Sequence, residues 1–341
     1  MLKRKSTSFA LLLILAAWTS LWFMTSNRFD KQIDAWVAAE KKAKHELTFD
    51  KSRLGGSPFS VSRSFTGVRW SDRKGASANI ENLTLSIRPW CWRSLTAEFQ
   101  KASAATPYFP DSAGPLTFHA NRGEIKTIKN GEGRWTDLTI SFADFSLTRA
   151  EKELSASETL NLEAERADPP PKDHQKEGMT LRGTVRNMKM ITEKPLPFGD
   201  TIERAEISAR IMGAPPEFTK SSVANWNEAS GVIEIDSFAL KWEALELDAK
   251  GTLALAGNLQ PEGAFSATVS NRENVMQALI ATGWAALNDA EALRAALNLP
   301  PGEKQLFAHK KGAVPLSIQE GSLFIGPVRS VTMPQIPWPS K

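Results

Sequence analysis

Ser71 and Lys74 stand three apart in Ser71-Asp72-Arg73-Lys74. In penicillin-recognising enzymes S-x-x-K opens a helix and brings a nucleophilic serine beside a lysine. Here the four residues run into Gly75-Ala76-Ser77-Ala78 in strand-rich surroundings, and the companion K-T-G is missing. The pattern reads as an exposed turn. Trp90 and Trp92 flank the single cysteine, Cys91, and could stack a sugar, which paired carboxylates would then cleave. The carboxylates Asp236, Glu243, Glu246 and Asp248, however, sit where a wet strand face is expected. His45, His119, His174 and His309 are scattered, and no H-E-x-x-H, C-x-x-C or phosphate-binding glycine loop occurs. No catalytic residue, metal site or cofactor is therefore expected. Cys91 reads as a small buried hydrophobe between its tryptophans.

The elements that would position any site are mostly strands. In 237–255 Phe238, Leu240 and Trp242 are spaced by two, as are Leu245, Leu247 and Ala249, and Leu253 and Leu255, with charged residues between. The same alternation recurs at Val61 and Phe65, at Leu83 to Ile87, at Ile207 to Ile211, at Phe265 to Val269 and at Val314 to Ile318. Leu138, Ile140 and Phe142 continue as Phe145 and Leu147 after a slip at Ala143-Asp144, which needs a bulge to keep one face. Asn130-Gly131, Gly257-Asn258 and Pro261-Glu262-Gly263 are turn signals. Clean alternation predicts antiparallel sheet with one wet face. The expected fold is mainly β: curved antiparallel sheet forming a groove or a sandwich, with a helical excursion near 271–298. Asn271 is its expected N-cap, Gly283 its interruption and Pro300-Pro301 its stop.

The chain opens with MLKRKSTS and then sixteen uncharged residues, Phe9 to Met24. Trp18, Trp22 and Phe23 are too bulky to precede a cleavage site, and no A-x-A follows. The run reads as an uncleaved transmembrane signal-anchor. Phe29, Ile33, Trp36 and Val37 then line one face of a helix. The expected organisation is an anchor over 1–25, a helix over 26–47, a first β-rich part over 48–165, a proline-rich linker over 166–178 and a second β-rich part over 179–341. The basic prefix places the N-terminus in the cytoplasm and the bulk in the periplasm, tethered to a bacterial inner membrane. The 42 basic and 38 acidic residues are interspersed without a basic stripe, so no nucleic-acid partner is expected.

The C-terminal half resembles an uncharacterised family of alphaproteobacterial envelope proteins, the domain-of-unknown-function family numbered 2125. The resemblance rests on Trp226 before a hairpin, on Gly251-Thr252-Leu253-Ala254-Leu255, on Gln260-Pro261-Glu262-Gly263, and on the strand from Glu320-Gly321 to Gly326-Pro327. The anchor, its helix and GGSPFSVSR carry it into the N-terminal half, although Ser57 stands where the family has an aromatic residue. It implies a single-pass anchor, a periplasmic β-rich body and no assigned activity. At fold level the pattern also resembles AsmA-like envelope proteins, whose curved sheets hold lipid. The leading expectation is a non-enzymatic protein that binds a lipid or acyl chain in an apolar β groove lined by Phe238, Leu240, Trp242, Leu245, Leu247, Leu253 and Leu255. The alternatives are a structural or assembly protein with a closed β core, and an envelope carbohydrate-acting enzyme.

Overall fold

The computed structural model describes residues 2–106, 114–193, 195–299, 312–336 and 338, with side chains of the first helix described from Ala16 onward. The side chains of Phe9 to Leu15, together with Pro300-Pro301 and His309, lie outside the described residues.

A long helix α1 (Leu2–Lys42) precedes β1 (Glu46–Thr48), β2 (Lys51–Gly55), β3 (Val61–Ser71), β4 (Ser77–Arg88), β5 (Cys91–Thr106), β6 (Leu116–Lys129), β7 (Trp135–Arg149), β8 (Lys152–Arg166), β9 (Glu177–Met190) and β10 (Thr201–Met212). After α2 (Lys220–Glu228) come β11 (Ile233–Trp242), β12 (Leu245–Leu255) and β13 (Pro261–Val269). The chain then forms α3 (Arg272–Ala281), α4 (Ala290–Ala296), β14 (Val314–Gln319), β15 (Ser322–Ile325) and β16 (Val328–Thr332). Among the described residues no helix is long and apolar enough to cross a membrane.

Among the described residues all strands belong to one antiparallel sheet in the order β1, β3, β4 and so on to β16, with β2 also paired to β3. The sheet is continuous across 166–178, since β8 and β9 pair from Ser155 opposite Met190 to Arg166 opposite Met179. Alternation along each strand becomes two faces across the sheet. One transverse row reads Phe65, Leu83, Phe99, Gly123, Phe142, Leu160, Val185, Ala205, Leu240, Leu247 and Val269, one residue from each of β3 to β13. The next row on that face includes Leu85, Ala97, Ile125, Ile140, Leu162, Gly183, Ile207 and Phe238. The opposite face carries rows such as Glu98, Glu124, Ser141, Asn161, Thr184 and Glu206.

The slip at Ala143-Asp144 is part of a crease that crosses the sheet. At one level Gly67, Glu81, Lys101, Asn121, Asp144, Glu158, Asn187 and Glu203 drop out of the pairing ladder. On alternate strands the dropped residue is left-handed: Gly67 at φ 62°, Lys101 at 49°, Asp144 at 49° and Asn187 at 50°. The extra residue on each creased strand keeps Val68 and Ile80 in the same apolar cluster as Phe65 and Leu83, and Phe145 beside Phe118. An unmatched insertion in one strand would have turned its following side chains to water.

Helices cover the apolar face at its two ends. α1 seats Phe29 and Ile33 on Val61, Phe65, Val68 and Ile87. Arg63 holds it there through Asp30 at 2.7 Å and Asp34 at 2.8 Å. At the other end α3 and α4 bury Val275, Met276, Leu279, Leu293 and Leu297 against Trp242, Leu245, Ala249, Ala267 and Val314. Asn271 is the N-cap residue of α3, as expected, but caps nothing: it is left-handed at φ 52°, and its side-chain amide donates to the Ala244 carbonyl. Gly283, at φ 75°, ends the first helical piece.

Candidate functional site

Between the helical ends the apolar face over β5 to β10 forms a trough. Its floor is Phe99, Phe118, Ile125, Ile140, Phe142, Leu160, Leu162, Val185 and Ile207, half-buried throughout except Ile207, which is 38% exposed. Phe142 lies 4.9 Å from Phe118 and 5.8 Å from Phe99, ring centre to ring centre. At about 4.8 Å per strand the floor runs roughly 24 Å across β5 to β10. That exceeds the half-thickness of a bilayer's hydrocarbon core, about 15 Å, which is the reach of one acyl chain.

Glycines shape this floor. A Cβ on Gly123 would stand 2.1 Å from a Phe99 ring atom, and one on Gly183 would stand 3.1 Å from Ile207 Cγ2. The larger side chains of the adjacent strands therefore lie over bare backbone. Towards α1 the trough deepens into a cleft of about 630 Å³ lined by Phe29, Ile33, Leu83, Leu85, Ile87 and Leu95, with Trp92, Arg93 and Lys129 in its wall.

The seven residues expected to line a groove share this face but divide between two settings. Trp242 and Leu245 are buried in the cluster beneath α3 and α4, and Phe238, Leu240 and Leu247 pack against it. Leu253 and Leu255 are half-buried farther along β12. Of the trough residues, Ile140, Phe142 and Ile207 lie in the alternating runs that mark strands in the sequence, while those on β5, β6, β8 and β9 fall outside those runs. Their signal is the register that aligns them, which no single run contains.

The opposite face is ionic. Arg210 binds Asp236 through Nε and Nη2 and reaches Glu234 at 2.7 Å, so its guanidinium holds the Asp236 carboxyl below its usual range. Lys241 pairs with Glu203 at 2.7 Å, and Arg182 with Glu165 at 3.4 Å. Near the upper end of α1, Glu40 accepts hydrogen bonds from His45 at 2.8 Å and Trp70 at 2.9 Å, which lower its pKa. Ser71 and Lys74 fall at the β3–β4 turn, where the Asp72 carboxylate accepts from the backbone of Lys74 and Ala76. Among the described residues no group of three His, Cys, Asp or Glu could hold a metal.

Cys91 is only half-buried, and Trp90 and Trp92 are 54% and 51% exposed. The expected shielding fails because these residues form a strand end, where flanking side chains have no second layer to enter. His174 is half-buried, with Nδ1 lacking a partner.

The residues that carry the family resemblance hold the fold's corners. Trp226 donates its indole N–H to the Met212 carbonyl at 2.9 Å, fixing α2, and its ring occupies the space beside Gly231. Gln260 clasps the C-terminal segment by accepting from the Ile336 N–H and donating to its carbonyl. Trp18 donates to the Pro58 carbonyl and Trp22 to the Ser60 carbonyl, so the GGSPFSVSR turn grips α1. A family model described as "Uncharacterized protein conserved in bacteria (DUF2125)" matches residues 22–334. No curated protein matches the chain.

Proposed function

The chain belongs to this family of uncharacterised bacterial proteins, and for it we propose a non-enzymatic role: holding a lipid or acyl chain on the open apolar trough over β5 to β10. The observation that carries this reading is the unbroken apolar floor between two helix-covered ends. A large apolar surface left uncovered marks a binding face. Each buried CH₂ contributes about 0.8 kcal/mol, so a sixteen-carbon chain contributes roughly 10 kcal/mol gross without a single polar contact.

Phe9 to Met24 serves in this reading as a single-pass anchor in the bacterial inner membrane, with the N-terminus cytoplasmic and the sheet in the periplasm. The uncharged run and its basic prefix support that placement. The anchor would keep the trough beside a source of lipid, for maintenance of the envelope.

Native mass spectrometry of the full chain, released from detergent in the gas phase, tests the reading. Adducts of lipid mass on the wild type, lost in Leu162→Glu, are expected. Bare protein from lipid-rich preparations would favour a purely structural role, for which the sealed cluster under α3 and α4 is the precedent within this chain.

A further inference from the structure

Several of the apolar and aromatic residues exposed near the N-terminus lie at one end of the strands. Phe59 in the β2–β3 turn is 70% exposed and Trp90 in the β4–β5 turn 54%, while Phe23 and Met24 on α1 are 57% and 72% exposed. Trp18 joins Phe59 and Trp90 into one patch, its ring centre 6.4 Å from the first and 5.7 Å from the second, and Phe23 packs on Trp22 one turn later at 5.4 Å. The patch is basic: Arg28 lies 4.9 Å and Arg93 5.3 Å from the centre of the Trp92 ring, and exposed Arg88 stands opposite Cys91 across the β4–β5 turn. Neither 51–63 nor 86–97 contains an acidic residue. The cleft beside α1 reaches the same end through Trp92 and Arg93.

We propose that this edge, Phe59, Trp90 and Trp92 with Arg28, Arg88 and Arg93, docks on the surface of an anionic lipid bilayer, so that the cleft and trough open at the membrane. The proposal rests on the reading of Phe9 to Met24 as a membrane anchor. That run ends on the patch itself, because Trp18 and Trp22 are bonded to the Pro58 and Ser60 carbonyls. A helix leaving a bilayer at Met24 therefore brings Phe59 and Trp90 to the headgroups. Amphipathic aromatic rings favour that layer, and guanidinium groups beside them meet lipid phosphates. A second copy of the chain would have to set this basic edge against another like itself.

Cys91, between the two tryptophans, is the chain's single cysteine and a native reporter. The full chain, carrying a nitroxide on Cys91, is reconstituted in vesicles of phosphatidylglycerol and phosphatidylcholine. Its collision rates with oxygen and with a water-soluble nickel chelate are compared with those of a label at Arg73→Cys in a Cys91→Ser background, at the opposite strand end. The expected result is an oxygen-to-nickel ratio several-fold higher at 91 than at 73. That ratio should fall in vesicles of phosphatidylcholine alone. It should also fall in a Phe59→Glu, Trp90→Glu chain that still floats with the vesicles. Equal ratios at 91 and 73 in a chain that floats would overturn the docking edge and leave the anchor standing. A chain that does not float would overturn both. Shielding that persists in detergent with dipolar broadening between labels would assign the edge to a second copy and overturn the bilayer.

Discussion

The ring of Phe99 lies over the α-carbon of Gly123, its partner across β5 and β6, so closely that no Cβ fits beneath it. An aromatic laid over a strand glycine covers backbone that would otherwise be open, and it levels the floor between Phe99 and Phe142. Gly123→Val should therefore push the ring off its seat and cost about 1–3 kcal/mol, despite valine's better strand propensity. Urea denaturation of the full chain in detergent would measure it. An unchanged midpoint would mean that Phe99 is free to move.

Charge placed at two sites on the same apolar face should have opposite outcomes. Leu245 is buried under α3 and α4, so Leu245→Glu strands a carboxylate and should cost several kcal/mol. Leu162 lies on the open floor, where water reaches the new carboxylate. Leu162→Glu should cost less than about 1 kcal/mol while removing bound lipid. Equal losses of stability would mean that the trough is as closed as the C-terminal core.

The crease predicts an asymmetry between glycine and non-glycine positions. A Cβ at Gly67 would meet the Asp50 carboxylate at 2.1 Å, on backbone at φ 62°. Gly67→Val should lose about 1–3 kcal/mol. Asp144 already occupies left-handed backbone, so Asp144→Gly relieves the Cβ contact and should range from neutral to about 1 kcal/mol more stable. Thermal melts of the two variants read the difference directly.

Glu40 gives a pH dependence of known sign. Its hydrogen bonds from His45 and Trp70 lower its pKa in the folded protein below the unfolded value. The stability it contributes is therefore complete above the unfolded pKa and is lost as pH falls through the lower folded value. Glu40→Gln should cost about 1 kcal/mol at neutral pH. It should also flatten the acid limb of a stability profile below the ordinary glutamate range. A variant whose acid limb matched the wild type would remove Glu40 from the contacts that seat α1.

The sequence makes the strands legible because each carries its own alternation, and Ala143-Asp144 announces a bulge because alternation breaks there. The neighbouring strands give less notice. Lys101 and Asn187 take left-handed backbone with no glycine to mark it, since the crease is a property of eight strands in register. For the same reason the oily faces of Phe238 to Leu247 look identical in sequence to those of Ile140 and Leu162, although α3 and α4 cover only the former. Whether a face is sealed depends on what folds onto it from far along the chain. The exposure of Trp90 and Trp92 was hidden similarly: a tryptophan pair reads as core until the strand is found to end there.

Photo-crosslinking tests the central claim most directly. The full chain carrying benzoyl-phenylalanine in place of Ile140, on the trough floor, is illuminated in native membranes, purified and weighed. Asn161, on the ionic face of the adjacent strand, takes the same group as the control. Adducts of lipid mass at position 140, well above those at 161, are the predicted result. A chain crosslinked to protein, to nothing, or equally to lipid at both positions would contradict a lipid-holding trough.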